Sequence, residues 1–384
     1  MKKSIIRFYQ PDELVFGDNC FKDFTEKFMM KGFKKVFILA DINILASLSG
    51  FAENLQGSGV KFNINTEITQ EPTVDFFNGL RKFVEDEKFD SVIGIGGGSV
   101  LDTAKLVAAL SDSGQSVEDV FGIGKLKGRK LFLSCLPTTA GTGSEVSPNA
   151  ILLDEKENLK KGVVSEFLVP DMAYADPVLT HTVPPHVTAA TGIDALTHCI
   201  EAYANKYAHP MTDLYALEGI ALIVKSIEKA YENGNNAEAR RDLALGSLYG
   251  GLCLGTVNTA AVHALSYPLG GEYHIPHGVS NALLLPAVME KNLPEATSYY
   301  AKIGEKIGLT DSDDETAKAK KCIDFIRQLC KNVEIPSTLT EFNVSKEDIP
   351  DLTKSAISVQ RLLKNNLRNL SREEIFDIYY NLFQ

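Results

Sequence analysis

The feature that most constrains the fold is a change of hydrophobic pattern near residue 180. Before it, short apolar runs alternate with amphipathic stretches, as in KKVFILAD, GVKFNIN, FFNGLRKFVEDEKF, DSVIGI, VLDTAKLVAAL and KLFLSCLPT. This alternation is typical of a parallel sheet with helices on its faces. After it, strand patterns disappear and the segments have helical spacing, including VTAATGIDALTHCIEAYA and MTDLYALEGIALIVKSIEKAY. We therefore predict an α/β domain over residues 1–180 and an all-α domain over residues 181–384.

The composition fits a soluble globular enzyme and excludes several other classes. Of the 384 residues, 44% are hydrophobic and 23% are charged, which is typical of a globular protein. The net charge of -11 argues against a nucleic-acid or anionic-membrane partner. No apolar run is long enough for a signal peptide or a membrane span. The six cysteines have no CxxC spacing, which favours reduced thiols. We therefore expect a cytoplasmic location.

Two pairs of residues in the second half have the character of metal ligands. Asp194 and His198 lie four apart in the helical segment TGIDALTHCIEAY, so both side chains leave one face of the helix. His263 and His277, in AVHALSYPLGGEYHIPHG, would complete a set of one carboxylate oxygen and three imidazole nitrogens. Such a set suits iron(II) or zinc(II). A second interpretation stays open, in which Asp194 and His198 are only a hydrogen-bonded pair.

Two Gly-rich segments of the first half are candidate cofactor loops. Gly96, Gly97, Gly98 and Ser99 join a strand to a helix, where backbone N–H groups and the helix N-terminus can bind a phosphate. The segment PTTAGTGSE, residues 137–145, follows another apolar strand. Neither matches GxGxxG, and each could be an ordinary turn. Two such loops in one sheet nevertheless favour a Rossmann-like sheet that binds a pyrophosphate-bearing cofactor.

Two charged residues of the first half are further candidates. Asp41 ends KKVFILAD, where its carboxylate could accept hydrogen bonds from an adenosine ribose and repel a 2′-phosphate, or could cap the helix that follows. Lys160 lies in a polar hairpin predicted over residues 154–162 and could approach a phosphate. Exposure to solvent is the ordinary state of such a lysine.

Four segments together resemble the iron-containing (group III) alcohol dehydrogenases: GGGSVLD, PTTAGTGSEV, TGIDALTHCIEAY and residues 263–278. The resemblance covers essentially the whole chain. It implies the fold shared with dehydroquinate synthase, with an active-site cleft between a dinucleotide-binding domain and a helical domain. It makes the metal ligands Asp194, His198, His263 and His277. It assigns to the cofactor site Gly96, Gly97, Gly98, Ser99, Asp102, Thr138, Thr139, Thr142, Asn149 and Lys160. Asp41 lies where the preference for NAD over NADP is often set, which favours NAD.

The resemblance also implies the reaction. We expect an NAD(H)-linked alcohol dehydrogenase working mainly as an aldehyde reductase, with Fe(2+), or Zn(2+), as Lewis acid and nicotinamide as the hydride carrier. It implies a homodimer or a larger homo-oligomer. One alternative is a lyase resembling dehydroquinate synthase, which a shortage of basic phosphate-binding residues opposes. The other is a nucleotide-binding protein without activity, which the intact set of four metal-ligand residues opposes.

One departure from the family pattern concerns proton transfer. Many members have a histidine at the position of Tyr267 in HALSYPLG. A tyrosine can relay a proton through its hydroxyl, but an unperturbed phenol has a pKa of about 10 and is a poorer base at neutral pH. His274 is therefore a candidate substitute. The alternative is that His274 is a surface or supporting residue.

The other departure lies in SVQRLLKNNLRNL, residues 358–370. Many relatives carry an Asp and a Cys near the substrate pocket there, whereas this chain has Gln360, Arg361 and Leu362, followed by Lys364. Loss of an acid beside two cations favours a substrate with an anionic tail. The pattern is similar to the 4-hydroxybutyrate dehydrogenase branch, so we expect succinic semialdehyde or an analogue such as sulfoacetaldehyde. Alternatively, Arg361 and Lys364 form an exposed basic helix face.

Overall fold

A computed structural model describes residues 5–156, 159–310 and 312–383. Contacts divide the chain into two compact units, Tyr9–Val183 and a second unit of Pro184–Gln384 with Met1–Phe8. All strands of the described residues lie in the first unit, and helices make up the second. The predicted fold class, α/β followed by all-α, is confirmed.

The unit Tyr9–Val183 is built on two sheets. Its strands are β1 (Glu13–Phe16), β2 (Lys35–Ala40), β3 (Lys61–Asn65), β4 (Ser91–Gly96), β5 (Gly122–Ile123), β6 (Phe132–Pro137), β7 (Asn149–Asp154), β8 (Leu159–Val164) and β9 (Met172–Ala175). Six of them form a parallel sheet in the order β1-β9-β6-β4-β2-β3. The other three form the sheet β5-β8-β7, in which β7 and β8 are antiparallel. The hairpin predicted near Lys160 is thus present, although its residues 157 and 158 lie outside the described chain.

Helices cover both faces of the parallel sheet. They are α1 (Cys20–Met30), α2 (Ser49–Gly57), α3 (Val74–Glu87), α4 (Gly98–Leu110) and α5 (Val117–Val120). Successive strand residues point to opposite faces, and both faces of β2 are buried. Phe37 and Leu39 join a core cluster with α3 and α4, whereas Val36 and Ile38 join one with α1 and α2. This burial on both sides explains why β2 has an almost continuous apolar sequence.

The register of the sheet places the two Gly-rich segments side by side. Strands β4 and β6 are parallel neighbours, and Gly96 at the end of β4 pairs with Pro137 at the end of β6. The chain leaves both strands at the same edge, so the residues after Gly96 and after Pro137 begin next to each other. Thr138 continues this contact, since its N–H donates to Gly96 O at 3.0 Å.

The second unit is helical. Its helices are α6 (Pro185–Tyr203), α7 (Pro210–Glu232), α8 (Ala237–Leu254), α9 (Ala261–Tyr273), α10 (His277–Lys306), α11 (Glu315–Asn332), α12 (Ile349–Ser358), α13 (Gln360–Leu363) and α14 (Arg372–Asn381). Helix α6 packs against α7, α8 and α10, which buries nearly all of its length. A largely buried helix therefore carries the predicted ligands Asp194 and His198.

Two further sequence expectations concern cysteines and membrane spans. All six cysteines are free and buried, and burial raises the pKa of each thiol. Among the described residues, every helix is too short or too polar to cross a membrane.

Candidate active site

Three helices of the second unit bring the four predicted metal ligands together. Asp194 and His198 are one turn apart on α6, His263 lies in the first turn of α9, and His277 is the first residue of α10. The Oδ1 atom of Asp194 lies 3.7 Å from His198 Nε2, 3.5 Å from His263 Nε2 and 3.9 Å from His277 Nε2. Ligand atoms bound tetrahedrally at roughly 2.0–2.1 Å are about 3.3 Å apart, so these separations are close to those of a metal site.

The donor atoms converge on one buried region. Asp194, His263 and His277 each contribute one donor atom, and these atoms lie within 4.8 Å of one another. The rings of His198 and His263 are stacked, with centroids 4.7 Å apart. His198 is not part of this group of three, although its Nε2 lies 3.7 Å from Asp194 Oδ1. Carboxylate oxygens and imidazole nitrogens are donors that suit a borderline divalent cation. The residues present therefore fit the predicted metal.

Asn281 lies next to the donor atoms of three predicted metal ligands. Its Nδ2 donates to Asp194 Oδ1 at 2.7 Å and lies 3.2 Å from Nε2 of both His263 and His277. The amide nitrogen thus lies beside one carboxylate oxygen and two ring nitrogens that a cation would also contact. Asn281 lies four residues after His277 on α10, so the two side chains share one face of the helix, a spacing that is visible in the sequence.

The electrostatic environment couples the carboxylate to the imidazoles. Burial alone would raise the pKa of Asp194, but His198, His277 and His263 lower it well below its ordinary value. Burial lowers the pKa of His263, but Asp194 and Glu201 outweigh it and raise the pKa to about 9. The acidic partners therefore compensate for burying the imidazoles.

The site is open on the side of His277. The His277 side chain is 29% exposed, whereas Asp194 is 3% exposed. The ring of Tyr267 lies 6.2 Å from that of His277, and Arg361 Nη2 donates to Tyr267 Oη at 3.4 Å. Tyr267, predicted for proton transfer, and Arg361, predicted for substrate binding, thus lie together beside the partly exposed His277.

The other predicted residues of this region lie in different surroundings. Leu362 is completely buried, and Lys364 is exposed. His274 is exposed and ends α9 with a left-handed backbone, φ 54°. The three predicted substrate residues thus differ in exposure, since Arg361 is partly buried, Leu362 is completely buried and Lys364 is exposed.

The predicted cofactor loops of the first unit contact each other closely. A Cβ atom on Gly98 would lie 2.5 Å from Thr142 Cγ2, and one on Gly96 would lie 2.7 Å from Val100 Cβ. Glycine is therefore required at both positions by space. Gly97 is the N-cap of α4, so Gly98 and Ser99 begin the helix. The N–H groups of this first turn and the helix dipole fit a pyrophosphate group.

A buried lysine joins these loops to α4. Lys105 Nζ donates to Ser144 O at 2.9 Å and to Ser144 Oγ at 3.0 Å, and also to Asn149 O. Asp102 accepts from Ser144 Oγ and from Ile151 N. Burial lowers the pKa of Lys105 and raises that of Asp102, and the charge of each opposes the shift of the other. Lys105 was not singled out from the sequence, although it interrupts the apolar segment VLDTAKLVAAL.

Asp41 and Lys160 both have protein partners. Asp41 caps the 3₁₀ helix Ile42–Leu48, since its Oδ1 accepts from Asn43 N at 2.8 Å. Asp41 therefore caps the helix that follows it, as one of the two interpretations of the sequence predicted. The exposed alternative for Lys160 is wrong, because its side chain is 6% exposed and its Nζ lies 2.9 Å from Glu71 Oε2. The partner Glu71 is distant in sequence, so the local pattern of ENLKKG does not show it.

Two family models match the chain. Iron-containing alcohol dehydrogenase matches residues 11–177, and Fe-containing alcohol dehydrogenase family, C-terminal, matches residues 188–383. The chain belongs to the iron-containing alcohol dehydrogenase family. It is therefore an oxidoreductase, and the family implies a metal ion and NAD(H) as cofactors. The predicted family and enzyme class are confirmed, and neither alternative class is favoured.

Individual members of the family cover nearly the whole chain. Long-chain-alcohol dehydrogenase 1 of Geobacillus thermodenitrificans (strain NG80-2) is 38% identical over 358 residues, which are 92% of this chain and 90% of that one. The structure of 1,3-propanediol oxidoreductase has a TM-score of 0.94 at 30% identity and covers 99% of this chain and 100% of that one. Sulfoacetaldehyde reductase from Bifidobacterium kashiwanohense, in complex with NAD+, has a TM-score of 0.87 at 27% identity and covers 99% of both chains.

Proposed function

We propose that this family member reduces short aldehydes that carry an anionic tail, of the succinic semialdehyde or sulfoacetaldehyde type. The observation that carries the proposal is the position of Arg361, whose guanidinium donates to Tyr267 beside the partly exposed His277. Sulfoacetaldehyde reductase, a family member of the same fold, is named for a substrate with a sulfonate group.

Asp194, His198, His263 and His277 are the proposed ligands of a divalent cation, iron(II) with zinc(II) as the alternative. When bound, this cation supplies Lewis acidity toward the substrate oxygen, and the nicotinamide accepts or supplies a hydride. With a divalent cation bound, one carboxylate and three neutral imidazoles would leave the metal and its ligands with a net positive charge, which favours the negative charge that develops on that oxygen. The burial of Asp194, His198 and His263 limits the access of water to this charge.

The proposed cofactor is NAD(H) rather than its phosphorylated form. Asp41 directly follows β2, and a carboxylate there would repel a 2′-phosphate. The first turn of α4 and the adjoining loop form the proposed phosphate site. The residues assigned to it are Gly96, Gly97, Gly98, Ser99, Asp102, Thr138, Thr139, Thr142, Asn149 and Lys160.

Arg361 is the proposed anchor for the anionic tail. Its planar guanidinium can donate two parallel hydrogen bonds to a carboxylate or sulfonate. Arg361 is partly buried, so such a contact is screened less by water than one on the surface. This guanidinium only donates, so Tyr267 Oη accepts from it. Tyr267 is the proposed group that passes a proton to the substrate oxygen, because its ring lies 6.2 Å from that of His277 and its hydroxyl can relay a proton. His274 is the alternative proton carrier.

Steady-state kinetics with NADH test this proposal. We expect a higher kcat/KM for succinic semialdehyde or sulfoacetaldehyde than for butanal. R361Q should lose about 10–100-fold in kcat/KM for the anionic aldehydes, the effect of one charged hydrogen bond, and less than about 3-fold for butanal. K354Q, which removes an exposed positive charge from α12, should change neither value. A wild type that prefers butanal, or an equal loss for all aldehydes in R361Q, would refute the anionic substrate.

Other expectations from the sequence stay predictions. They are the roles of Leu362 and Lys364 in substrate binding, the domain boundary between residues 180 and 181, a homodimer or larger homo-oligomer, and a cytoplasmic location.

A further inference from the structure

Glu201 is a buried acid that the proposed reaction does not use. It lies on α6, seven residues after Asp194 and three after His198, so all three side chains lie along one side of the helix. Glu201 is 5% exposed. A buried carboxylate is costly unless hydrogen bonds compensate for the loss of water. Its partners therefore indicate what it does.

The partners of Glu201 are all at the start of α9. Its Oε2 accepts from Ala260 N at 2.9 Å, and its Oε1 accepts from Val262 N at 2.6 Å. The first N–H groups of a helix have no acceptor within the helix, and the helix dipole favours a negative charge there. Ala260, the N-cap residue, provides no side-chain cap. Glu201 thus holds the backbone on both sides of Ala261 against α6.

The third partner is an imidazole of the metal-ligand group. Glu201 Oε2 lies 2.7 Å from His263 Nδ1. An ionised carboxylate only accepts hydrogen bonds, so Nδ1 must carry the proton. In the neutral ring, the lone pair is then on Nε2. Nε2 is the atom that faces Asp194 Oδ1 at 3.5 Å and Asn281 Nδ2 at 3.2 Å.

We propose that Glu201 is a positioning residue that holds His263 in the tautomer and orientation required for donation from Nε2 to the metal. This inference rests on the proposed metal site and extends it to the residue that orients one ligand. Its two oxygens hold both the backbone before His263 and the ring of His263. A carboxylate hydrogen-bonded to the distal nitrogen also makes an imidazole a stronger donor, and loss of such a partner typically lowers metal affinity about 10–100-fold.

The variant E201Q tests the inference with little change in volume. An amide has only one acceptor oxygen, so it must turn its NH₂ group toward Val262 N or toward Ala260 N and His263 Nδ1. The control is D176N, the same acid-to-amide change in the other unit. Asp176 is buried and accepts from three backbone N–H groups, those of Asn19, Phe21 and Val178. All three of its partners are thus backbone N–H groups, as in a helix cap, and none of them is an imidazole.

The measurements are the Kd of zinc(II), from competition with a chromophoric chelator, and the visible spectrum of the cobalt(II)-loaded protein. We expect E201Q to bind zinc(II) about 10-fold more weakly, with an altered cobalt(II) spectrum. D176N should keep the wild-type Kd and spectrum while losing stability. E201L, which removes all the acceptors, should bind zinc(II) more weakly than E201Q.

Two results would overturn the inference, and they have different meanings. Wild-type zinc(II) affinity and cobalt(II) spectrum in E201Q would show that Glu201 only caps α9. A wild-type chain that binds neither zinc(II) nor iron(II) would remove the proposed metal site and, with it, the role of Glu201. If E201L does not fold, the comparison of E201Q with D176N decides between the two roles.

Discussion

Gly278 holds the proposed ligand His277 close to α6. It is the second residue of α10, and its backbone approaches Ala190, which lies one turn before Asp194 on α6. A Cβ atom at Gly278 would lie 2.2 Å from Ala190 O and 2.6 Å from Ala190 C. Both atoms belong to the backbone, so no side-chain rotation can relieve the overlap. The substitution G278A must therefore move α10 relative to α6.

The size of that movement follows from the contact distance. Real Cβ atoms essentially never approach another heavy atom within 3.0 Å, so the two backbones must separate by about 0.8 Å, the difference between 3.0 and 2.2 Å. Metal–ligand distances tolerate only about 0.2 Å. Misplacement of a reacting group by about 1 Å typically costs about 100-fold. We therefore expect G278A to weaken zinc(II) binding about 100-fold, or about 2.7 kcal/mol, and to lower the free energy of unfolding by about 1–3 kcal/mol.

Zinc(II) competition and urea unfolding of the metal-free protein measure these two quantities separately. The control is G94A, because a Cβ atom on Gly94 would lie 2.9 Å from Ala104 Cβ in the other unit. G94A should lose stability and keep the wild-type Kd for zinc(II). If G278A loses stability but binds zinc(II) as tightly as the wild type, His277 is not a ligand and the reasoning fails.

Two predictions concern buried charges near the cofactor loops. K105M leaves Asp102, whose side chain is only 14% exposed, without its cation, so urea unfolding should show a loss of about 3–5 kcal/mol; wild-type stability would contradict the role of Lys105. Burial raises the pKa of Glu145 from 4.5 to about 7, so the folded state holds a proton that the unfolded state releases between those pH values. Stability should therefore fall by up to about 3 kcal/mol as the pH rises from 4.5 to 7, and E145Q should lack this fall; parallel curves for E145Q and the wild type would contradict it.

The fold class could be predicted because the sequence pattern changes where the architecture changes. Strand β2 is apolar throughout since Val36 and Ile38 face one core and Phe37 and Leu39 face another. After residue 180 the spacing is helical, and the structure has helices there. These signals are local and each element carries its own, so no knowledge of distant contacts is needed.

The metal-ligand group could be predicted only in part from spacing. Asp194 and His198 belong to one helix, and their separation of four residues places them together. Their approach to His263 and His277 depends on how α6, α9 and α10 pack, and spacing does not contain that information. The resemblance to the family predicts that all four residues lie together, and the distances from Asp194 Oδ1 to the three imidazoles support that prediction.

The residues that sequence reasoning missed or misjudged share a dependence on distant partners. Lys160 lies in a polar segment typical of exposed lysines, yet it is buried against Glu71. Lys105 and Glu201 look like the polar positions of ordinary helices, and only tertiary packing shows that each is buried. Helical periodicity reports which side chains share a face, but it does not report whether another segment covers that face.

Lys105 and Glu201 use the same physical arrangement with opposite charges. Lys105 donates to the backbone carbonyls of Ser144 and Asn149 and fixes that segment on α4. Glu201 accepts from the backbone N–H groups of Ala260 and Val262 and fixes the start of α9 on α6. In each case a buried charge on a packed helix holds a segment that carries proposed site residues. A backbone group has no alternative rotamers. A hydrogen bond to the backbone therefore fixes the position of the segment more strictly than a hydrogen bond between two flexible side chains. Substitutions at these two residues should therefore alter the binding of cofactor or metal even though neither residue takes part in hydride transfer.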